Sequence, residues 1–164
     1  MIDDLLSLAS EAVSHARKLG ADAVHAVAAD GRSTELQILD GQIEKVEQAE
    51  ALDISLKVYA GKSSATISGS VLTTDAIHRL AEKALAMARL APPDPYAGIA
   101  DADQLAKDIP DLDLAADDMP NAEGLERLAR EAEAAALAVP GVSKSSGAGA
   151  SASDRIVAIV MSNG

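Results

Sequence analysis

Along the middle of this chain, apolar and polar residues alternate. Thr34, Leu36 and Ile38 run into Asp40-Gly41, and Leu52, Ile54, Leu56 and Val58 run into Gly61. A period of two is that of a strand with one buried face. Asp-Gly between such runs marks a hairpin, because a type I′ turn needs positive φ at both central residues. The pattern predicts an antiparallel meander with strands at 34–38, 43–49, 51–60 and 63–68. A strand at 23–28 leads into it through a turn at Asp30-Gly31. Late in the chain, 142–152 reads as weakly specified extended chain and 155–161 as a strand.

On either side the period changes to that of a helix. Leu5, Leu8, Ala9, Ala12, Ala16 and Leu19 form one stripe, with Gly20 placed to end it as a C′ residue. Thr73 or Thr74 is a suitable N-cap for a second helix, with Asp75 in its first turn. Its stripe is Ile77, Leu80, Ala81, Ala84, Leu85 and Ala88, and the prolines of 92–95 end it. Asn121 caps a third, carrying Leu125, Leu128, Ala129, Ala132 and Ala136, which Pro140-Gly141 stops. A short helical piece is expected at 101–107, and 108–120 is an acidic loop with five aspartates. A half-buried sheet needs a cover that these helices can supply. The predicted fold class is α+β: an antiparallel meander sheet of about five to seven strands with two or three long helices packed on one face.

Composition changes this picture in three ways. The chain has 164 residues, enough for a single domain, and is 48% apolar, yet it has no Phe or Trp and two Tyr. The core is therefore built from Ala, Leu, Ile and Val, which bury modest area each, so support from a neighbouring domain or subunit is expected. A net charge of −12 repels phosphate backbones and anionic lipid, which argues against nucleic acid or a membrane surface as partner. Without cysteine there is no disulfide, thiolate metal site or Cys nucleophile. Ile2-Asp3-Asp4-Leu5 has the wrong charge for a signal peptide, so the expected location is the cytoplasm. The chain closes on Asn163-Gly164, a hairpin signal with no returning strand, and is expected to be the front piece of a longer protein.

Candidate chemistry is sparse. A hydrolytic zinc ion needs about three protein ligands, and the histidines are His15, His25 and His78. His15 falls at the edge of the first helical stripe, His25 in a strand and His78 off the second stripe, so all three are expected to be surface or satisfied residues. The letters of Gly147-Ala148-Gly149 fit a dinucleotide fingerprint, but a strand follows where that motif needs a helix. Those small residues are expected to let another backbone approach or to be simply a flexible strand. Glu44, Glu47 and the acidic loop read as solvated, and no Gly-x-Ser-x-Gly elbow occurs. No catalytic, cofactor-binding or metal residue is expected. The sheet edge can accept an extended peptide through main-chain hydrogen bonds, or pair with a continuation of the chain or with a partner subunit. Lys57, Tyr59 and Tyr96 are the residues expected to contact peptide or partner.

Several stretches together resemble the N-terminal domain of the TldD/PmbA family: Gly20-Ala21-Asp22-Ala23-Val24, the Asp40-Gly41 hairpin, and Ile43-Glu44-Lys45-Val46-Glu47-Gln48-Ala49-Glu50. Pro92-Pro93-Asp94-Pro95-Tyr96, Pro110-Asp111-Leu112-Asp113-Leu114 and Ser162-Asn163-Gly164 are similar to the PmbA branch, also called TldE. Where the family often has Gly-Val-Arg-Val, this chain has Ser55-Leu56-Lys57-Val58. The resemblance implies a non-catalytic N-terminal domain in one subunit of a metal-dependent peptidase heterodimer. The TldD-like partner would hold zinc or a similar divalent ion on a His-Glu-x-x-x-His helix, a motif missing here, and the substrate would be unfolded peptide. The family also carries the label modulator of DNA gyrase. The alternative is a free-standing protein-interaction module with no proteolytic link.

Overall fold

A computed structural model describes residues 2–115 and 118–163. Gly164 of the terminal hairpin signal and Asp117 of the acidic loop lie outside the described residues. The elements are α1 (Ile2–Lys18), β1 (Ala23–Leu39), β2 (Gln42–Ala60), β3 (Ser63–Gly69), α2 (Thr74–Leu90), α3 (Ala122–Leu137) and β4 (Ala148–Met161). A single 3-10 turn, Ala102–Gln104, stands where a short helical piece is predicted. The sheet is antiparallel, in the order β3-β2-β1-β4.

Four strands replace the predicted five to seven because three pairs of predicted segments are continuous. Asp30-Gly31 makes no turn: both lie inside β1. A Cβ on Gly31 would stand 3.2 Å from Arg155 Cγ and 3.3 Å from the Asp154 carbonyl. Glycine is there because a neighbouring strand passes close, and the chain does not reverse. The reversals that do occur follow the expected chemistry. Asp40 and Gly41 have φ of 51° and 68°, as a type I′ turn requires. Gly61, with φ of 61°, starts the turn that pairs Ala60 with Ser63, and the register then runs to Ile54 opposite Gly69.

The chain forms two compact units, the first comprising the residues up to Asp30, Ala51–Pro110 and Ile156 onward. In it α1 and α2 cover Val24, Ala26, Ile54, Leu56 and Val58. Leu52, predicted on the same face, is exposed. Gly20 closes α1 in the left-handed region, with Gly20 N–H donating to the Arg17 carbonyl and Ala21 N–H to that of Ala16. That pair of bonds is a Schellman motif and turns the chain directly into β1.

The second unit comprises Gly31–Glu50 and Asp111–Arg155. Its core is small: Leu36, Ile38, Leu125 and Ala129, with Ala150 and Ala152 packed against them. Helix α3 departs from its predicted stripe, for Leu128, Ala132 and Ala136 are exposed and Glu133 is buried, at 3% exposure. The Glu133 carboxylate accepts hydrogen bonds from the Asp40 N–H at 3.1 Å and the Gly41 N–H at 2.7 Å. Arg130 Nη1 donates to the Gly41 carbonyl. The hairpin tip is thus held by a buried charge. The Gly41 N–H, with help from Ser145, Asp40 and Arg130, holds the Glu133 carboxyl below its ordinary value against the opposing effect of burial.

Two outcomes follow. Gly147 has φ of 99°, and a Cβ there would lie 2.8 Å from the Ile38 carbonyl, as expected of a residue that lets another backbone approach. Gly147→Ala should lower stability by about 1–3 kcal/mol, read as a lower urea midpoint at unchanged slope. For Glu133, a lowered native pKa means stability that is present above the ordinary value of 4.5 and lost as pH falls through the native pKa. The stability difference between wild type and Glu133→Gln should therefore be constant near neutral pH and shrink on acidification below that value.

Candidate functional site

Two features of the first unit have chemical content, and α2 contributes to both. Thr73 caps the helix, its Oγ1 accepting from the Ala76 N–H at 3.3 Å. That cap satisfies one of the free N–H groups of the first turn, and the buried stripe of Ile77, Ala81, Ala84, Leu85 and Ala88 sets which face each residue takes. The sides of α1 and α2 that meet are rich in alanine: Ala9, Ala12 and Ala16 on one, Ala81, Ala84 and Ala88 on the other, all buried. Short side chains let helices approach closely.

At the border of this contact, His15 and His78 stack, their ring centroids 3.7 Å apart and their planes 5° from parallel. His78 Nε2 lies 2.6 Å from Glu11 Oε1, and His15 Nε2 lies 4.0 Å from Glu82 Oε1. His15 Nε2 is shielded from solvent and has no hydrogen-bond partner among the described residues. The hydrogen bond with His78 draws the Glu11 carboxyl below its ordinary value. One donor atom each from Glu11, His15 and His78 falls within a span of 4.8 Å. The sequence pattern puts His15 at the edge of the first helix's stripe and His78 off the second, with nothing to join them. The available signal was the spacing: Glu11/His15 and His78/Glu82 are both i, i+4 pairs, and such pairs share a helix face. His25 stays outside the cluster, half-buried in β1.

The second feature is a groove of about 650 Å³ between the end of β3 and α2, lined by Ile67, Gly69, Val71, Arg79, Leu80 and Lys83 among others. β3 is an edge strand, paired on one side only. Leu80 folds over its end, where a Cβ on Gly69 would come 2.8 Å from Leu80 Cδ1. The three residues expected to contact a partner lie elsewhere. Lys57 Nζ sits 5.2 Å from the Tyr59 ring centre, and Tyr59 is only 6% exposed. Tyr96 is 93% exposed, on a segment fixed by Asp94 N–H donating to the Lys62 carbonyl at 2.8 Å. None of the three lines the groove.

Known proteins give this fold a context. The family model PmbA/TldA metallopeptidase domain 1 matches residues 26–88. A protein of Haemophilus influenzae named metalloprotease PmbA homolog is 38% identical over 137 residues. This chain belongs to the PmbA/TldD family. That alignment covers 82% of the chain and 30% of the relative. Metalloprotease PmbA of Escherichia coli O157:H7 is 41% identical over 99 residues, covering 59% of the chain and 22% of the relative. The chain thus spans under a third of the length of the curated relatives it matches. Among solved structures, one from Bacteroides thetaiotaomicron, named as a candidate modulator of DNA gyrase, superposes with a TM-score of 0.82 at 22% identity, covering 96% of this chain and 36% of that one. TldE from Thermococcus kodakarensis gives 0.71 at 14% identity, with 96% and 35% covered.

The relatives' name implies a metal in the family. No His-Glu-x-x-x-His sequence occurs in this chain. The two parallel imidazoles beside Glu11 are of the right donor type for zinc but do not converge as they stand. No helix among the described residues is long and apolar enough to cross a membrane. Because Thr73 Oγ1 satisfies the Ala76 N–H at the start of α2, Thr73→Ala should cost about 1 kcal/mol of stability. Faster amide exchange in the first turn of α2 would accompany that loss.

Proposed function

We propose that this PmbA/TldD-family chain acts as a non-catalytic N-terminal domain in a PmbA/TldE-like subunit of a metal-dependent peptidase complex. Residues 1–164 form one such domain of a longer chain, which helps to enclose a substrate chamber and holds extended, unfolded peptide. The observation that carries this reading is the open edge of β3 beside the groove. An extended chain can satisfy its main-chain donors and acceptors on such an edge whatever its side chains, which suits a peptidase for unfolded substrates. Ile67, Val71 and Leu80 offer apolar surface to its side chains, while Arg79 and Lys83 offer charge to its acidic groups or terminus. Zinc or a similar ion belongs, in this reading, to a TldD-like partner. All three of Lys57, Tyr59 and Tyr96 lie outside the groove; exposed Tyr96 is assigned to contact with that partner, whereas Tyr59 is buried and supports Lys57 from beneath.

The test is binding of a labelled unfolded peptide followed by fluorescence anisotropy. Leu80→Asp puts a charge on the apolar wall and should weaken binding about tenfold or more, the equivalent of ~1.4 kcal/mol. Unchanged affinity would remove the groove from the proposal. Co-purification with a TldD-like protein separates the peptidase subunit from a free-standing interaction module, which would bind peptide and ignore that partner.

A further inference from the structure

We propose that Glu11, His15, His78 and Glu82 form a binding site for one borderline divalent transition-metal ion, of the Zn²⁺ class, that ties α1 to α2. The site is separate from any metal centre of a partner and does not depend on the peptide-holding role. Its donor set is two imidazoles and two carboxylates, which suits zinc, cobalt or nickel better than the all-oxygen preference of calcium and magnesium. Each helix supplies one His and one Glu four residues apart, and each Glu faces the other helix's His. An ion there joins elements that are separate in sequence.

For Glu11, His15 and His78 the distances are close to what ligation needs, and Glu82 stands 4.0 Å from His15 Nε2, from where a rotamer change brings it in as the fourth donor. Tetrahedral zinc bonds of ~2.1 Å put neighbouring donors about 3.4 Å apart, against the 4.8 Å span of the Glu11, His15 and His78 donors. The gap closes if the stacked rings fan apart about χ2, a soft torsion for imidazole. The lone His15 nitrogen favours this change. It has no hydrogen-bond partner among the described residues and is shielded from water, so it gains one when an ion fills the space between it and the carboxylates. Glu82 and Glu11 are partly exposed, which leaves a route for an ion from solvent. The two carboxylates balance a 2+ charge, in a chain whose net charge of −12 attracts cations.

The experiment is titration of chelator-treated protein with Zn²⁺ by calorimetry, and with Co²⁺ by visible absorption, near neutral pH. The expected result is one equivalent bound at this site, a tetrahedral Co²⁺ spectrum and a raised melting temperature. His78→Ala should abolish this binding, Glu82→Gln should weaken it about 10-fold to 100-fold, and His25→Ala should leave it unchanged. In wild-type protein, Co²⁺ should shift the imidazole proton resonances of His15 and His78 and leave those of His25 in place, a readout that needs no variant. Absence of stoichiometric binding, unshifted His15 and His78 resonances, or equal binding by His78→Ala would each overturn the proposal.

Discussion

Everything in the first unit follows from a core that contains no phenylalanine or tryptophan. Alanine at the facing positions of α1 and α2 buries little area per residue, roughly a methyl group each, so the helices must come close for dispersion contacts to accumulate. That closeness has a chemical by-product. Residues at the margin of the contact are pressed together, and two imidazoles stack where larger contact residues would hold them apart. The same tight packing lays Leu80 over Gly69 and shapes the groove beside β3. A substitution that enlarged Ala81 or Ala84 would therefore disturb two candidate sites while touching neither.

The local grammar of the chain was legible. Gly20, Thr73 and Asn121 cap their helices as their residue types require, and Asp40-Gly41 makes the turn that its letters specify. What stayed hidden was set by partners distant in sequence. Gly31 looked like a turn because its reason is the strand around Arg155 that passes over it. Nothing local marks Glu133, because the N–H groups it serves lie 92 and 93 residues away. His15 and His78 looked unrelated because only the packing of one helix on another joins them. Family resemblance supplied the domain type, yet it carried no information about that cluster.

Glu82 links the two features of the first unit. Its carboxylate faces His15, and the residue also lines the groove, between Arg79 and Lys83 in sequence. The electrostatic character of the groove is then not a fixed property of its lining. With Glu82 turned toward the imidazoles, the wall presents chiefly the two basic residues; with it turned away, the charges mix.

The clamp on the hairpin tip also says something about the order of events as the chain folds. The Asp40-Gly41 turn is a local structure, of the kind that forms within microseconds. Its lock, Glu133, arrives on a helix 92 residues later, so the closing of that loop is a late, entropically demanding step. Because synthesis runs from the N-terminus, the two N–H groups of the tip are made well before the carboxylate that they bind in the folded chain.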